Sequence, residues 1–334
     1  MRIALDAMGS DNAPRTELEG ALMALEKNEG LELILVGKEE ILRGVQQDFP
    51  AGRVQVVAAP DVVGMHEIPT ETLRRKPNCS IARVMALVKD GKADAAVSAG
   101  NTGAVMAFAL TTLGTIPQVQ RPALGAFFPT TRGSCLILDV GANIDVRPQH
   151  LFQFGMMGAV AASHILKKAS PSVALVNIGQ EENKGTDATR QAYELFKASE
   201  LNFIGNIEGS QIFAGNADVI ICDGFVGNVM VKLTEGLGET MAELIAEYLA
   251  SESKYRVRRW FSKPVLREFL GRMNYEEQGG ALLLGVNGAV VIGHGRSSAN
   301  AIKSAIEQAV FSARENTAGH IRDRFARLQE PTAG

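Results

Sequence analysis

The 334-residue chain has three cysteines, one tryptophan and no long unbroken apolar run, and each scarcity removes a class of protein. Cys79, Cys135 and Cys222 lie far apart with no C-x-x-C pair, which excludes a disulfide framework or a cysteine zinc site and fits a reducing cytoplasm. The five histidines, His66, His150, His164, His294 and His320, show no metal-ligand spacing, so no catalytic metal is expected. A G-x-S-x-G elbow is missing, and neither Gly9-Ser10 nor Gly133-Ser134 builds one, which disfavours a serine hydrolase. No Walker loop occurs. Gly293-His294-Gly295 has Ser298 where a dinucleotide fingerprint needs its third glycine, so no nicotinamide or other cofactor is expected. The N-terminal residues meet Asp6 after three apolar positions, and the apolar run Ala281 to Ile292 is broken by Asn287, so neither a secretory segment nor a membrane span is expected. With 34 Lys and Arg against 37 Asp and Glu, the net charge of −3 gives no global attraction to nucleic acid.

What the chain does have is a core: 46% of its residues are hydrophobic, enough for a full α/β fold. Short Val/Ile/Leu runs alternate with helical patterns at Arg2 to Ala7, Leu31 to Val36, Val54 to Ala58, Ala95 to Ser98, Ser134 to Val140, Val173 to Ile178 and Val219 to Cys222. Continuous rather than alternating hydrophobicity implies strands covered on both faces. The expectation is a three-layer α/β/α sandwich with a mostly parallel sheet, forming a single catalytic domain over 1–334. Arg121 to Phe128 and the pair Ala281 to Leu284 and Ala289 to Ile292 read as added antiparallel strands that make the sheet mixed.

In open α/β sheets ligands sit beyond the carboxyl ends of the strands. The segments there are Asp6 to Asn12, Ser98 to Thr102, Asp139 to Asp145, Asn177 to Gly185 and Asp223 to Asn228, all rich in Gly, Asn and Asp. Five such loops are expected on one rim, forming a polar cleft with many backbone donors. Ser98 to Gly103 is the most telling, because a strand running into a helix start suits an anion. There Gly100 lets the backbone approach a ligand, Asn101 or Thr102 caps the helix, and Gly103 allows close packing. Taken alone, the loop reads first as an ordinary strand-to-helix turn, ahead of an anion site. Lys184 could neutralise phosphate or an oxyanion, or pair with Glu181 or Glu182 on the surface. Asn228 and Lys232, one helical turn apart, can face the same rim.

The segment Ser253 to Asn274 differs from the rest. Val257, Trp260, Phe261, Leu266, Phe269, Leu270 and Met273 have helical spacing on either side of Pro264, so 251–278 is expected to form an amphipathic helical hairpin. Seven basic residues, Arg258 and Arg259 among them, stand against Glu268 alone between Lys254 and Arg272. Such a surface suits an anionic membrane or an acidic partner protein, or else a dimerisation hairpin with a solvated basic face.

The ordered set LDAMGSD (5 to 11), DGKADAAVSAGNTGA (90 to 104), LDVGANID (138 to 145), NIGQEENKG (177 to 185), NFIGNIEG (202 to 209), CDGFVGNV (222 to 229) and GGALLLGVNG (279 to 288), with HG (294 to 295), closely resembles the bacterial phosphate acyltransferases, the PlsX family. The match covers nearly the whole chain. It departs at Cys79, where the family more often carries a small hydroxyl residue, and is weakest over Ser251 to Tyr275.

The resemblance implies a fold like the isopropylmalate/isocitrate dehydrogenases and the phosphotransacetylases, and a homodimer at the inner face of the cell membrane. It implies transfer of a fatty acyl group from acyl-acyl-carrier-protein to inorganic phosphate, giving acyl phosphate for a downstream glycerol-3-phosphate acyltransferase. It also implies catalytic roles for Lys184 and Asn228. Asp6, Gly9, Ser98, Gly100, Asn101, Thr102, Gly103, Asn143, Asp223, Gly224 and Lys232 become candidate phosphate or substrate contacts. Val257, Arg258, Arg259, Trp260, Phe261, Leu266, Phe269 and Leu270 become candidate membrane or carrier contacts. Two rival readings are a nicotinamide-dependent 2-hydroxy-acid dehydrogenase on a related fold and a non-catalytic membrane scaffold.

Overall fold

The structure, a computed structural model, describes residues 1–251 and 279–327. The expected hairpin, with Val257, Arg258, Arg259, Trp260, Phe261, Leu266, Phe269 and Leu270, lies outside the described residues apart from Ser251.

The strands are β1 (Arg2–Asp6), β2 (Glu32–Gly37), β3 (Val54–Ala58), β4 (Ala95–Ser98), β5 (Ala123–Thr130), β6 (Gly133–Leu138), β7 (Val173–Val176), β8 (Phe203–Ile207), β9 (Val219–Ile221), β10 (Ala281–Leu284) and β11 (Ala289–Ile292). The helices are α1 (Arg15–Lys27), α2 (Glu39–Leu42), α3 (Pro69–Arg75), α4 (Ser80–Lys89), α5 (Thr102–Thr112), α6 (Pro148–Ile165), α7 (Asp187–Lys197), α8 (Gly224–Ser251), α9 (Ala299–Arg314) and α10 (Thr317–Ala326). Every expected strand is present. Strand β8 is the addition: its Gly205 and Asn206 interrupt the apolar run that marks the others.

All the strands form one sheet in the order β3-β2-β1-β4-β11-β10-β5-β6-β9-β7-β8. The β3-β2-β1-β4-β11 strands are mutually parallel, and so are β6-β9-β7-β8. Between the two groups stand three antiparallel pairings, β11 with β10, β10 with β5, and β5 with β6. An odd number of reversals leaves the two groups running in opposite directions. The expectation of five loops on one rim is therefore corrected. The loops after β1 and β4 belong to one set of carboxyl ends, and those after β6, β7 and β9 to the other.

The register brings the two sets together. Ser98 pairs with Ile292, Ile292 with Ala281, Ala281 with Ala126 and Ala126 with Ile137, so β4 and β6 end within a residue of the same level. The opposed carboxyl ends thus overlap above the central strands.

The core is asymmetric. On one face a single apolar cluster runs beneath both halves, with Leu25 of α1, Ile302 of α9, Phe154 of α6 and Phe196 of α7 packed on Leu5, Val97, Leu136 and Val219. On the other face there are two clusters, one around Ile81, Val105 and Leu124 and one around Phe128, Ile220 and Val231. At ~25 cal/mol per Å² such burial supplies the dominant folding force. The gap between the two smaller clusters is where polar groups gather.

Candidate functional site

That gap is a cavity of about 260 Å³ with a floor of Leu124, Ala281 and Ile292 from the central strands. Thr102 and His294 line it from the first half, and Val140, Gly141, Asn228, Val231 and Lys232 from the second. Among the described residues, no carboxylate lines it. At roughly 300 Å³ for small-ligand sites, this volume suits a compact polar group rather than a long chain.

The start of α5 and the second and third turns of α8 face the cavity. In α5, Asn101 Oδ1 accepts from Ala104 N–H at 3.0 Å, while its amide donates to Met65 O at 2.9 Å and Glu67 O at 3.0 Å. Asn101 is thus the cap and a staple to the 64–67 loop, with its polar atoms already engaged. The N–H groups of Thr102 and Gly103 stand in the first turn, where no intrahelical acceptor exists, and the exposed Thr102 opens on the cavity. Across the gap, Asp223 Oδ1 accepts from Val226 N–H at 2.8 Å, and α8 presents Asn228 and then Lys232.

Several expected contacts prove to shape the site from behind. Asp6 is wholly buried and accepts from the Ser98 hydroxyl at 2.7 Å, and Ser98 Oγ accepts from Gly100 N–H at 3.1 Å. Burial pushes the Asp6 carboxyl above its ordinary value, against hydrogen bonds from the Ser98 hydroxyl and Met8 N–H. Gly9 lets the loops after β1 and β4 touch, since a Cβ there would lie 2.7 Å from Gly100 N. Gly103 sits against Pro69 of α3, where a Cβ would come within 2.7 Å of the proline ring.

Asn143 is likewise internal. Its amide donates to Pro122 O at 2.8 Å and Asp139 Oδ2 at 2.9 Å. Asp139 also accepts from the N–H groups of Leu124, Gly141, Ala142 and Asn143, and burial raises its pKa in spite of them. Gly224 N–H donates to Asn143 O at 2.7 Å, tying the start of α8 to this loop. Gly227 approaches even closer: a Cβ would fall 1.9 Å from Asp139 O.

Lys184 stands on the exposed loop after β7 and does not line the cavity. Of its two expected surface partners, Glu181 and Glu182, the second is engaged elsewhere, accepting from Lys197 Nζ and Tyr193 Oη at 3.0 Å. Among the described residues the Lys184 ammonium makes no hydrogen bond or ion pair.

His294 was not among the expected site residues, and neither was Gly141. The HG pair at 294 and 295 is visible in the sequence, and β11 is antiparallel to β10 as expected, but nothing in its residues shows that it also pairs with β4. In the structure β11 is parallel to β4, so Gly293-His294 follows it into the cavity beside Ser98. Cys79, at the residue type that departs from the family, caps α4 with Sγ accepting from Ala82 N–H at 3.4 Å.

Similarity to known proteins agrees with this architecture. The sequence profile described as "Fatty acid synthesis protein" matches residues 1–319. A phosphate acyltransferase from Pelotomaculum thermopropionicum is 44% identical over 335 residues, covering 100% of this chain and 98% of its own length. One from Salinibacter ruber is 44% identical over 329 residues, covering 97% of each chain. Among solved structures, a phosphotransacetylase from Streptococcus pyogenes superposes with a TM-score of 0.63 at 19% identity, covering 94% of each chain. A branched-chain phosphotransacylase from Enterococcus faecalis V583 gives 0.60 at 14% identity, covering 94% of this chain and 99% of its own. These two likenesses concern the fold. Through its sequence the chain belongs to the fatty acid synthesis protein family that includes the phosphate acyltransferases.

Proposed function

We propose that the protein transfers a fatty acyl group from acyl-acyl-carrier-protein to inorganic phosphate, releasing the carrier thiol and acyl phosphate. The observation that carries this reading is the cavity between two oppositely directed sheet halves, with no carboxylate among its described lining residues, onto which the start of α5 and, from α8, Asn228 and the Lys232 ammonium converge. Helix starts and an ammonium favour an anion by charge and by free N–H groups. Phosphate is already nucleophilic at neutral pH, so positioning and oxyanion stabilisation matter more than a strong base.

In the proposed sequence, phosphate lies against the first turn of α5 and one of its oxygens attacks the thioester carbonyl. The carbon–sulfur bond then breaks, and the electron pair leaves on the carrier thiolate. Asn228 and Lys184 stabilise the tetrahedral oxyanion, and no acyl-enzyme forms. Ser98, Asp6, Gly9, Gly100, Asn101, Gly103, Asn143, Asp223 and Gly224 act by holding the loops, and Thr102 and Lys232 by contact.

The same reading includes a homodimer and a peripheral position on the inner membrane face. Phe225, Val229, Leu233, Leu237, Met241 and Leu244 make an exposed apolar stripe along α8, at intervals of three and four residues, which suits a second copy. No helix among the described residues is long and apolar enough to cross a membrane. The basic segment from Lys254 to Arg272 supplies the expected attraction to anionic lipid or to the acidic carrier. A downstream glycerol-3-phosphate acyltransferase would consume the product.

The deciding experiment mixes the protein with acyl-acyl-carrier-protein and inorganic phosphate and follows free carrier thiol. Thiol release that depends on phosphate, with acyl phosphate formed in equal amount, is expected. Release at the same rate without phosphate would make the protein a thioesterase and overturn the reading.

A further inference from the structure

The turn after β1 supports two walls of the cavity at once. Gly9 lies against the backbone of Gly100, where a Cβ would come within 2.7 Å of the Gly100 nitrogen, and Gly100 leads into α5 and the cavity-lining Thr102. Two residues after Gly9, Asp11 N–H donates to Gly295 O at 2.8 Å, beside Gly293 and His294, which also line the cavity. Residues 9–11 are therefore a strut shared by the start of α5 and by the loop after β11.

Glu17 holds this strut. The residue is fully buried in the first turn of α1, and its Oε1 accepts from Ser10 N–H at 2.7 Å. An acid at the third helical position usually turns back to the N–H of the capping residue. Here the cap is Pro14, which has no N–H, so the carboxyl reaches instead to a segment seven residues earlier. Burial foremost, and then the nearby Asp6 charge, push the Glu17 pKa up against the Ser10 hydrogen bond. The neutral form is thereby favoured, in which the carboxyl still accepts from Ser10 without placing a negative charge behind a site for an anion. Helix α1 packs on the sheet face opposite the cavity, and Glu17 does not line it.

We propose that Glu17 is a positioning residue for phosphate: through Ser10 it fixes residues 9–11, and through them the placement of the α5 start and the loop after β11 around the bound anion. This rests on the reading of phosphate as the acyl acceptor and adds to it a residue, on the far face of the sheet, that sets phosphate affinity.

Two substitutions separate the acceptor from the space it fills. Glu17→Gln keeps a carbonyl for the Ser10 N–H in the same shape, whereas Glu17→Met fills the space and leaves that buried donor unmet. In the Met variant the phosphate KM should rise on the order of tenfold, as should the Kd from calorimetric titration of inorganic phosphate without acyl donor. The Gln variant should stay within about threefold of the unsubstituted protein. The KM for acyl-acyl-carrier-protein should change in neither, a split that a purely structural glutamate would not produce.

Hydrogen exchange in the unsubstituted protein removes any dependence on how the variants fold. If displacing residues 9–11 destroys the site, phosphate must suppress that opening by mass action. At a hundred times the Kd of phosphate, the Ser10 and Asp11 amides should exchange about a hundredfold more slowly. The Gln47 amide, in the turn before β3, should not respond. Unchanged Ser10 exchange in the phosphate-saturated protein, slowing shared equally by Gln47, or a folded Met variant with unaltered phosphate KM and Kd would each take this role from Glu17 and leave the acyl-transfer reading standing. If the unsubstituted protein neither binds phosphate nor transfers an acyl group to it, both fall.

Discussion

The Asp6 carboxylate at the end of β1 accepts a 2.7 Å hydrogen bond from the Ser98 hydroxyl at the end of β4, and both residues are wholly buried. This bond links two neighbouring strands and, through Ser98 Oγ and Gly100 N–H, sets the turn that leads into α5.

A pH dependence follows from Asp6. Desolvation raises its pKa in the folded state, with the Ser98 and Met8 hydrogen bonds opposing. A raised carboxyl holds its proton more tightly when folded than when unfolded, so its stabilising contribution is complete below the usual value and is lost as pH rises through the raised one. Asp6→Asn keeps an acceptor for Ser98 and abolishes that loss. In urea unfolding between about pH 4 and 7, the unsubstituted protein should lose stability relative to the variant as pH rises. A constant difference across that range would remove Asp6 as the source.

Asn101 separates capping from stapling. Asn101→Ala gives up the cap on Ala104 and leaves the Met65 and Glu67 carbonyls short of a donor, a cost of about 2–3 kcal/mol. Asn101→Asp keeps a good cap yet turns a second carboxylate oxygen on those carbonyls, so it should be destabilised as well. Thermal unfolding of both variants checks this, and an Asp variant as stable as the unsubstituted protein would show the staple to be unimportant.

Close backbone approach makes Gly227 intolerant. A Cβ there would meet Asp139 O at 1.9 Å, in a loop held by several hydrogen bonds to the Asp139 carboxylate, so Gly227→Ala should cost about 3 kcal/mol or more. Gly236, in the same helix, has open space around it, and Gly236→Ala should stabilise by about 0.5–1 kcal/mol. Opposite shifts in the denaturation midpoint are expected, and shifts of like sign would show that helix propensity rather than contact governs both.

Asn228 and Lys184 divide the proposed oxyanion site. Asn228 already lines the cavity, and Asn228→Ala should lower kcat by ~10²- to 10³-fold with the fold intact. Lys184→Ala should lower kcat by a similar factor, which requires its exposed loop to move toward the bound substrates. A Lys184→Ala enzyme with unchanged kcat and a raised KM for the acyl donor would place that lysine in carrier docking instead.

The fold and the site differ in how far they could be read from residues. Runs such as Leu33 to Val36 and Val173 to Val176 are apolar at consecutive positions, which marks strands covered on both faces whatever their direction. Strand β8 lacks that mark because Gly205 and Asn206 interrupt it at the sheet edge. The polar loops after β4, β6 and β9 were visible as Gly, Asn and Asp clusters, and they do hold Thr102, Gly141 and Asn228. Which members face the cavity was not visible, because Asn and Asp serve turns and caps with the same side-chain atoms that bind ligands.

The sequence by itself determined the α/β class, the strands other than β8, the glycine-bearing junctions and, through its ordered motifs, the family. Tertiary structure decided the direction of the strands and hence the site. Hydrophobic runs record burial, whereas polarity of a strand depends on its hydrogen-bonded neighbours, and the partners Ala95 of β4 and Ala289 of β11 lie 194 residues apart in the chain. Three antiparallel pairings reverse the second half, turn two rims toward each other, and bring His294 to Lys232 across the gap. The same long-range pairing withdraws Asp6 and Asn143 behind the surface, where their hydrogen bonds hold the loops in place.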